Sequence, residues 1–446
     1  MDSSARRIVP EKVEGFFPGA GKEHREQAPL GADMSGVGLP YGKTGMLPTG
    51  PLPYHEAIRE YLKTREPEIW RWYASNRVRE EIAERVKFDL LKSTYRVERE
   101  ERPELYTAAE ETVARLSLDV PVTFYQAQNP QDLNASLAYV PGEAHVVLHG
   151  PVTTQLTPSE FSALLAHELS HLNLWRRWDG EYLIVDQILS ALTLDRRAET
   201  SHFATARLFG LYTEIFCDRG ALFVVGDPLP VISMLVKLST GLADVNAENY
   251  LRQAEEVFSR ETAKTAGLTH PETFIRARAL KLWSDGVRDA EAKIRAMIEG
   301  APSLCELDLL AQVKVSELTR RLLDVLLSPK WIQSRAILAH AKLFFDDYAA
   351  ADARHADTAL AGDIRTGDET MQDYYCYVLL DFVTSDPELE EYPLAAALAL
   401  AEEFGWKERF MEVARRELRL RKSRLEAIDR EKGNLLSGAG EMNASL

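Results

Sequence analysis

The sequence predicts an α+β protein that is mainly α-helical, with a small β-sheet ahead of a long helix and a helical bundle in the C-terminal part. Apolar residues recur at three- and four-residue spacing, as in Ile58, Tyr61 and Leu62, which is typical of amphipathic helices. Runs of apolar and β-branched residues between Val120 and Leu148 are typical of strands. Leu, Ala and Glu are abundant, as in helix-rich chains.

Composition excludes several classes of function. The 53 Lys and Arg against 69 Asp and Glu give a net charge of -16, which disfavours binding to nucleic acid over any broad surface. The three cysteines, Cys217, Cys305 and Cys376, are too few and too scattered for a disulfide framework or a thiolate zinc site. The N-terminus lacks a secretory signal, and no run approaches the roughly 20 apolar residues that span a bilayer. We therefore expect a cytoplasmic protein without a transmembrane segment.

The 446 residues predict two or three structural units. Residues 1–53 hold nine of the 25 glycines and seven of the 21 prolines, which predicts a flexible segment. That segment is either a plain tail or a self-inhibitory plug across a cleft, and both readings stay open. We expect a catalytic domain over 54–300, a helical domain over 301–430 and a tail over 431–446.

The catalytic domain has a predicted order of elements. Helices are expected from His55 to Leu116, and the strands that follow are expected at 120–125, 134–140 and 145–148, the last two as a hairpin. Thr157-Pro158-Ser159-Glu160 offers an N-cap hydroxyl, a proline at the first helical position and a glutamate three residues after the cap. A long helix is therefore predicted to begin there, with further helices over Glu199–Val224 and Pro271–Trp283.

The predicted long helix carries the motif His167-Glu168-Leu169-Ser170-His171. Residues four apart project from one face of a helix, so both imidazoles can reach one metal ion. Glu168 stands beside them, where a carboxylate can take the proton of a zinc-bound water. The alternative is that both histidines are ordinary surface or core residues.

A catalytic zinc needs a third protein ligand, and Glu214 is the candidate. Asp218 follows it by four residues, so both carboxylates face the same way from their helix. One can bind zinc while the other accepts a hydrogen bond from a ligand histidine. An ordinary acidic helix face is the alternative, but the apolar residues on both sides predict burial.

Over roughly Val120 to Leu280 the chain resembles the HtpX and CAAX prenyl protease group of gluzincin zinc metallopeptidases. The resemblance is carried by Asn134-Ala135, the segment Ala166 to His171, the pair Glu214 and Asp218, and His270-Pro271 followed by Arg276. The Asp381 to Gly405 region is faintly similar to the TerB-type helical fold. Unlike many members of the metallopeptidase group, this chain has no flanking transmembrane helices.

The resemblance implies one zinc ion per chain, ligated by His167, His171 and Glu214. It implies that Glu168 is the general base and acid, that Asp218 supports a ligand, and that His270 and Arg276 are active-site residues. It also implies that Asn134 and Ala135 lie on an edge strand that binds extended substrate. Two alternatives stay open. His270-Pro271 could be the start of a helix with no chemical role, and Asn134 to Leu137 could be ordinary sheet structure that binds no substrate.

The function expected from these residues is a zinc metalloendopeptidase that hydrolyses peptide bonds in protein substrates. The alternative is a catalytically silent or latent metalloprotein that binds a partner through its helical C-terminal region. The sequence offers no obvious fourth protein ligand that would close the zinc site as a structural one.

Overall fold

The computed structural model of the chain describes residues 50–128, 133–140, 142–260, 270–350 and 358–444. The first part of these residues forms helices and strands in the order α1 Pro53–Arg65, α2 Pro67–Tyr73, α3 Asn76–Ser93, β1 Thr94–Val97, α4 Pro103–Arg115, β2 Val122–Ala127, β3 Asn134–Val140, β4 Glu143–His149, α5 Val152–Gln155, α6 Pro158–Trp175, α7 Glu181–Leu194 and α8 Thr200–Val225. The rest is helical, with α9 Pro228–Thr240, α10 Ala247–Arg260, α11 Thr273–Ser284, α12 Ala290–Glu299, α13 Leu309–Leu326, α14 Arg335–Phe344, α15 Thr358–Arg365, α16 Glu369–Thr384, α17 Tyr392–Glu403, α18 Lys407–Glu417 and α19 Lys422–Ala444. A mainly helical α+β fold is thus confirmed.

The four strands form one mixed sheet in the order β1-β2-β4-β3. β3 and β4 are antiparallel neighbours, with Ala135 opposite Leu148, which confirms the predicted hairpin. β2 runs parallel to β4, and β1 pairs antiparallel with β2. β1 was not predicted, because it is four residues long and follows directly on the helical pattern of α3. β3 therefore lies at one edge of the sheet.

The described chain divides into two compact units. The first unit takes the chain up to Ile188 together with Arg207–Ile298, and so contains the sheet and α6. Its interior contains strand residues such as Phe124 and Val146 and helix residues such as Leu165, all with no exposed surface. This unit also buries many titratable side chains, which are His55, His145, Glu160, His167, Glu168, Glu214, Asp218, Arg219 and Lys237.

The second unit combines Leu189–Ala206 with Glu299–Leu446. Its core is apolar and rich in aromatic residues, and Tyr375, Phe382 and Phe404 are fully buried in it. Its buried acidic residues, Asp308 and Asp386, each accept a backbone N–H at the start of a helix. The core of this unit is therefore stabilised mainly by packing of apolar side chains.

Some predicted boundaries differ from the structure. The interval 189–206 groups with the C-terminal helices and not with the predicted catalytic domain. The interval 431–444, predicted as a tail, is the second half of α19. The predicted flexible segment lies outside the described residues as far as position 49. Within the described part of the chain, none of the helices has the length and apolar composition that crossing a membrane requires.

Candidate metal centre

The candidate site is built on α6, and the start of this helix is fixed as the sequence predicts. The Thr157 hydroxyl accepts from the Glu160 backbone N–H, and the Glu160 carboxylate accepts from the Thr157 N–H at 2.8 Å. Pro158 occupies the first helical position, where its missing N–H costs nothing. Twelve of the eighteen residues of α6 are buried. The helix is therefore a rigid support for the side chains at its centre.

His167 and His171 project from one face of α6, with their ring centroids 5.3 Å apart. The His167 side chain is 7% exposed and the His171 side chain 15% exposed. The two imidazoles thus stand side by side in a largely dry environment, as the four-residue spacing predicts.

α8 brings the Glu214 carboxylate to both histidines. One of its oxygens lies 3.4 Å from His167 Nε2, and the other lies 3.7 Å from His171 Nε2. Ligand atoms placed about 2.0–2.1 Å from a tetrahedral zinc ion are separated by roughly 3.3–3.4 Å from one another. Each of the two Glu214 oxygens therefore faces one histidine nitrogen at about the separation of neighbouring metal ligands, and N and O donors of this kind suit a divalent metal.

Asp218 lies one turn further along α8 and is fully buried. Its Oδ1 is 3.0 Å from His167 Nδ1, which lets that nitrogen donate its proton to the carboxylate. A metal that displaces the Nε2 proton would then be bound by that atom, with the ring orientation fixed by Asp218. Arg276 of α11 donates to both Asp218 oxygens, at 2.6 and 2.7 Å. Arg276 thus binds the carboxylate that orients His167. One of its Nη atoms also lies 3.5 Å from a Glu214 oxygen.

Hydrogen bonds and burial compete in setting the pKa values of this cluster. Burial disfavours the charged form of each group, but bonds from the histidines outweigh it for Glu214 and hold the pKa of that carboxyl well below its usual range. For His167, bonds to Asp218 and Glu214 outweigh burial and raise the pKa to about 10. These shifts show how strongly the histidine and the carboxylates interact.

Glu168 behaves in the opposite way. It is 6% exposed, and burial raises its pKa to about 7, with the negative charge of Glu214 adding to the effect. His270, at the start of the segment before α11, is half exposed, and its Nδ1 lies 3.4 Å from Glu214. The structure thus brings seven of the nine predicted site residues into one cluster, which are His167, Glu168, His171, Glu214, Asp218, His270 and Arg276.

The structure adds one residue that sequence reasoning set aside. The thiol sulfur of Cys217 and a ring nitrogen of each motif histidine all lie within 4.8 Å of one another, so these three side chains are also a possible metal-binding group. The signal was available, since Cys217 follows Glu214 by three residues and faces the same side of α8. Glu214 is the other candidate for the third ligand, because each of its oxygens lies close to one of the two histidine nitrogens.

Asn134 and Ala135 lie at the start of the edge strand β3. The Asn134 side-chain oxygen accepts from the Ala135 backbone N–H at 2.9 Å. At the other end of the strand, the Tyr139 ring lies 6.0 Å from the ring of Trp175, which lies 5.7 Å from the His171 ring. Contacts between aromatic rings therefore connect the edge strand to the helix that carries the motif.

The cluster gathers histidines and carboxylates as a metal centre could, and two curated relatives are named as a metallopeptidase or a protease. A protein of Arabidopsis thaliana named plastoglobule-localized metallopeptidase 48, chloroplastic, is 30% identical over 207 residues, which cover 42% of this chain and 59% of the relative. Protease HtpX homolog 2 of Methanosarcina acetivorans is 28% identical over 144 residues, which cover 26% of this chain and 48% of the relative.

The chain thus spans about half the length of the curated relatives it matches. No family model and no solved structure matches it. The comparisons therefore support a likeness to HtpX-type metallopeptidases over part of the chain. They give no support to the TerB-like resemblance, and the cytoplasmic location stays a prediction.

Proposed function

We propose that the protein is a zinc-dependent endopeptidase that hydrolyses peptide bonds in protein substrates, with His167, His171 and Glu214 as the metal ligands. The single observation that carries the proposal is the spacing of 3.4 and 3.7 Å between the Glu214 oxygens and the two Nε2 atoms. A zinc ion bound there would supply Lewis acidity, polarising a carbonyl and making water a stronger acid.

The residues of the chain would handle the protons and the substrate. The Glu168 carboxylate would accept a proton as water adds to the scissile carbonyl carbon, and would return it to the amide nitrogen as the C–N bond breaks. His270 is half exposed beside Glu214, where its ring could donate to the carbonyl oxygen as negative charge develops. Arg276 would act through Asp218, by holding the carboxylate that orients His167.

The edge strand supports a protein substrate over a small molecule. β3 pairs with β4 on one side, and an extended peptide can add to the other side through backbone hydrogen bonds. Asn134 and Ala135 would take part at the beginning of this strand. Substrate side chains that point towards α6 would meet the side of the sheet where Tyr139 and Trp175 contact each other.

The decisive experiment compares wild type with Glu168→Gln, measuring zinc content and cleavage of a generic unfolded protein. We expect about one zinc per chain in both, with cleavage lowered by at least about 100-fold in the variant, because the proton acceptor is lost while the ligands remain. Glu110→Gln, at a side chain that is 62% exposed, is the matched control and should cleave normally. A wild-type rate in Glu168→Gln, or wild type without metal, would contradict the proposal.

The alternative is a metalloprotein with a closed, non-catalytic zinc site, and Cys217 is the observation that favours it. A fourth protein ligand would leave no position for water. Replacing zinc with cobalt(II) separates the two cases, because a thiolate ligand gives a sulfur-to-cobalt charge-transfer band in the near ultraviolet. That band, together with metal-loaded protein that cuts nothing, would favour the alternative and its partner-binding role.

Self-inhibition by the N-terminal segment is a separate proposal, based on the composition of that segment alone. A truncated chain that starts at Pro53, the first residue of α1, tests it. We expect faster cleavage by the truncated chain, and an unchanged rate with unchanged zinc content would reject self-inhibition.

A further inference from the structure

Ser170 of α6 and Gly220 of α8 lie in direct contact. A Cβ atom added at Gly220 would lie 1.9 Å from Ser170 Oγ and 2.8 Å from Ser170 Cβ. Non-bonded carbon atoms normally lie about 3.5–4.0 Å apart. Turning the Ser170 hydroxyl away would relieve only the first contact, because the two Cβ atoms would still overlap. The helices can therefore adopt this spacing only with glycine at position 220.

Both residues of this contact neighbour residues of the candidate metal centre along their helices. Ser170 is the residue before His171, is 1% exposed, and donates to the Ala166 carbonyl at 2.6 Å. Gly220 follows Asp218 by two residues on the facing helix. The absence of a side chain at position 220 thus allows the helix that carries the histidines to lie this close to the helix that carries the carboxylates.

The metal centre tolerates little change in that distance. Any side chain at position 220 would have to push the helices about 1 Å apart to restore normal contact with Ser170. The Glu214 oxygens now lie 3.4 and 3.7 Å from the histidine nitrogens, already at or slightly above the roughly 3.3–3.4 Å of a tetrahedral zinc site. A further separation of this size would place the carboxylate outside bonding range of a metal held by both histidines.

We propose that Gly220 is a positioning residue: because it has no side chain against Ser170, α6 and α8 can lie at the spacing that the zinc ligands need, and this spacing sets the affinity of the centre for zinc. The inference rests on the proposed metal site. It also accounts for a glycine in the interior of a 26-residue helix, where glycine is otherwise unfavourable relative to alanine.

The test measures zinc affinity by competition with a chromophoric chelator, alongside helix content by circular dichroism. We expect Gly220→Ala to bind zinc about 10–100-fold more weakly than wild type. Ser170→Ala with Gly220→Ala should recover little, since the Cβ atoms still overlap. Ser170→Gly with Gly220→Ala should bind nearly as wild type does, because the space then freed at 170 accepts the new methyl group.

Two single variants serve as controls. Gly433→Ala changes an exposed glycine of α19 whose added Cβ would meet nothing within 4 Å, and it should leave zinc affinity unchanged. Ser170→Gly alone should also keep its zinc, because it adds no atom between the helices. If Gly220→Ala fails to fold, the zinc affinity of Ser170→Gly is compared with that of the double variant Ser170→Gly with Gly220→Ala. This comparison still tests whether relieving the overlap at position 220 preserves zinc binding.

The inference is overturned if Gly220→Ala binds zinc as wild type does. It is also overturned if the double variant with glycine at 170 binds weakly while Ser170→Gly binds normally, since relieving the overlap would then restore nothing. Failure of wild type to bind zinc would instead overturn the proposed metal site, and this inference with it. The two failures are distinguished by wild type alone.

Discussion

Two glutamates on α6, two turns apart, are both buried but have opposite surroundings. Glu160 accepts from Lys237 Nζ at 2.8 Å and from the Ser233 hydroxyl at 2.5 Å, so its charge is balanced within a complete set of hydrogen bonds. Glu168 stands among the histidines and carboxylates of the candidate centre, beside the further negative charge of Glu214. The same residue type on the same helix is thus paired with a lysine at position 160, whereas at position 168 it lies beside another carboxylate.

The pKa values follow from this difference. Burial alone would raise the pKa of Glu160, but the bonds from Lys237 and Ser233 outweigh it and lower that pKa. Burial dominates at Glu168 and raises its pKa to about 7. A buried carboxylate with its own cation stabilises the fold, whereas one with a raised pKa can exchange a proton near neutral pH. The comparison therefore distinguishes two clusters on one helix. The structural cluster is Glu160 with Ser233 and Lys237, and the chemical cluster is Glu168 with the histidines and carboxylates of the candidate centre.

The largest expected effect comes from making the same change at both glutamates. Glu160→Gln leaves the Lys237 ammonium buried without its carboxylate, which should lower the free energy of unfolding by about 3 kcal/mol. Glu168→Gln removes a carboxyl that burial disfavours, so the change there should stay below about 1 kcal/mol. Urea unfolding followed by circular dichroism measures both. Equal losses would show that the two clusters do not differ as described.

Replacing Glu214 tests whether the chemical cluster is organised around a metal. Glu214→Gln should weaken zinc binding by at least about 100-fold, more than the loss of an outer hydrogen-bond partner. Cys217→Ser, three residues away on the same helix, should change the affinity by less than about threefold. Chelator competition gives both values. The reverse order would make Cys217 the ligand and exclude the donor set that we favour.

Asp218→Asn should have a smaller effect, about a tenfold loss of zinc affinity. The amide can no longer hold the His167 Nδ1 proton as a carboxylate does, and Arg276 loses its partner. Asp285→Asn, at a side chain that is 46% exposed, is the matched control and should bind zinc as wild type does. Unchanged affinity in Asp218→Asn would remove Asp218 from the account of the site.

The smallest effect is the acid dependence of stability. Since the pKa of Glu160 is lower in the folded protein, the folded state binds fewer protons than the unfolded state at acid pH. The stabilisation is complete above the unfolded pKa of about 4.3 and is lost as pH falls through the folded pKa, by at most about 1.4 kcal/mol per pH unit. Between pH 6 and 3, the free energy of unfolding should fall less with decreasing pH in Glu160→Gln than in wild type. Parallel curves would contradict this assignment.

The sequence predicted some residues of each cluster on α6 but not all of them. The capping box of Thr157 and Glu160 was readable because its partners are three residues apart. Lys237 and Ser233 were not, because they follow Glu160 by 77 and 73 residues and only the fold brings them to it. The structural cluster was thus invisible in the sequence although its first residue was identified.

The chemical cluster was more predictable, since helix geometry fixes which face His167 and His171 share. Glu214 was a candidate from its spacing to Asp218 and its apolar neighbours, and the resemblance to known proteins added to it, but nothing local connects α6 with α8. The sequence could not show that Arg276 binds both oxygens of Asp218. It also could not show that position 220 must lack a side chain, which depends on how closely two helices pack.

Among the described residues, β3 pairs with a strand on one side only, and this has a consequence for handling the protein. An edge that can take up an extended peptide can equally take up an edge strand of another copy, and this is a common route to aggregation. The strand reads Asn-Ala-Ser-Leu-Ala-Tyr-Val, with polar residues only at positions 134 and 136 before it becomes apolar towards Val140. Substitutions that make its first half more β-branched would favour association between copies, so engineering for tighter substrate binding at this edge would carry a cost in solubility.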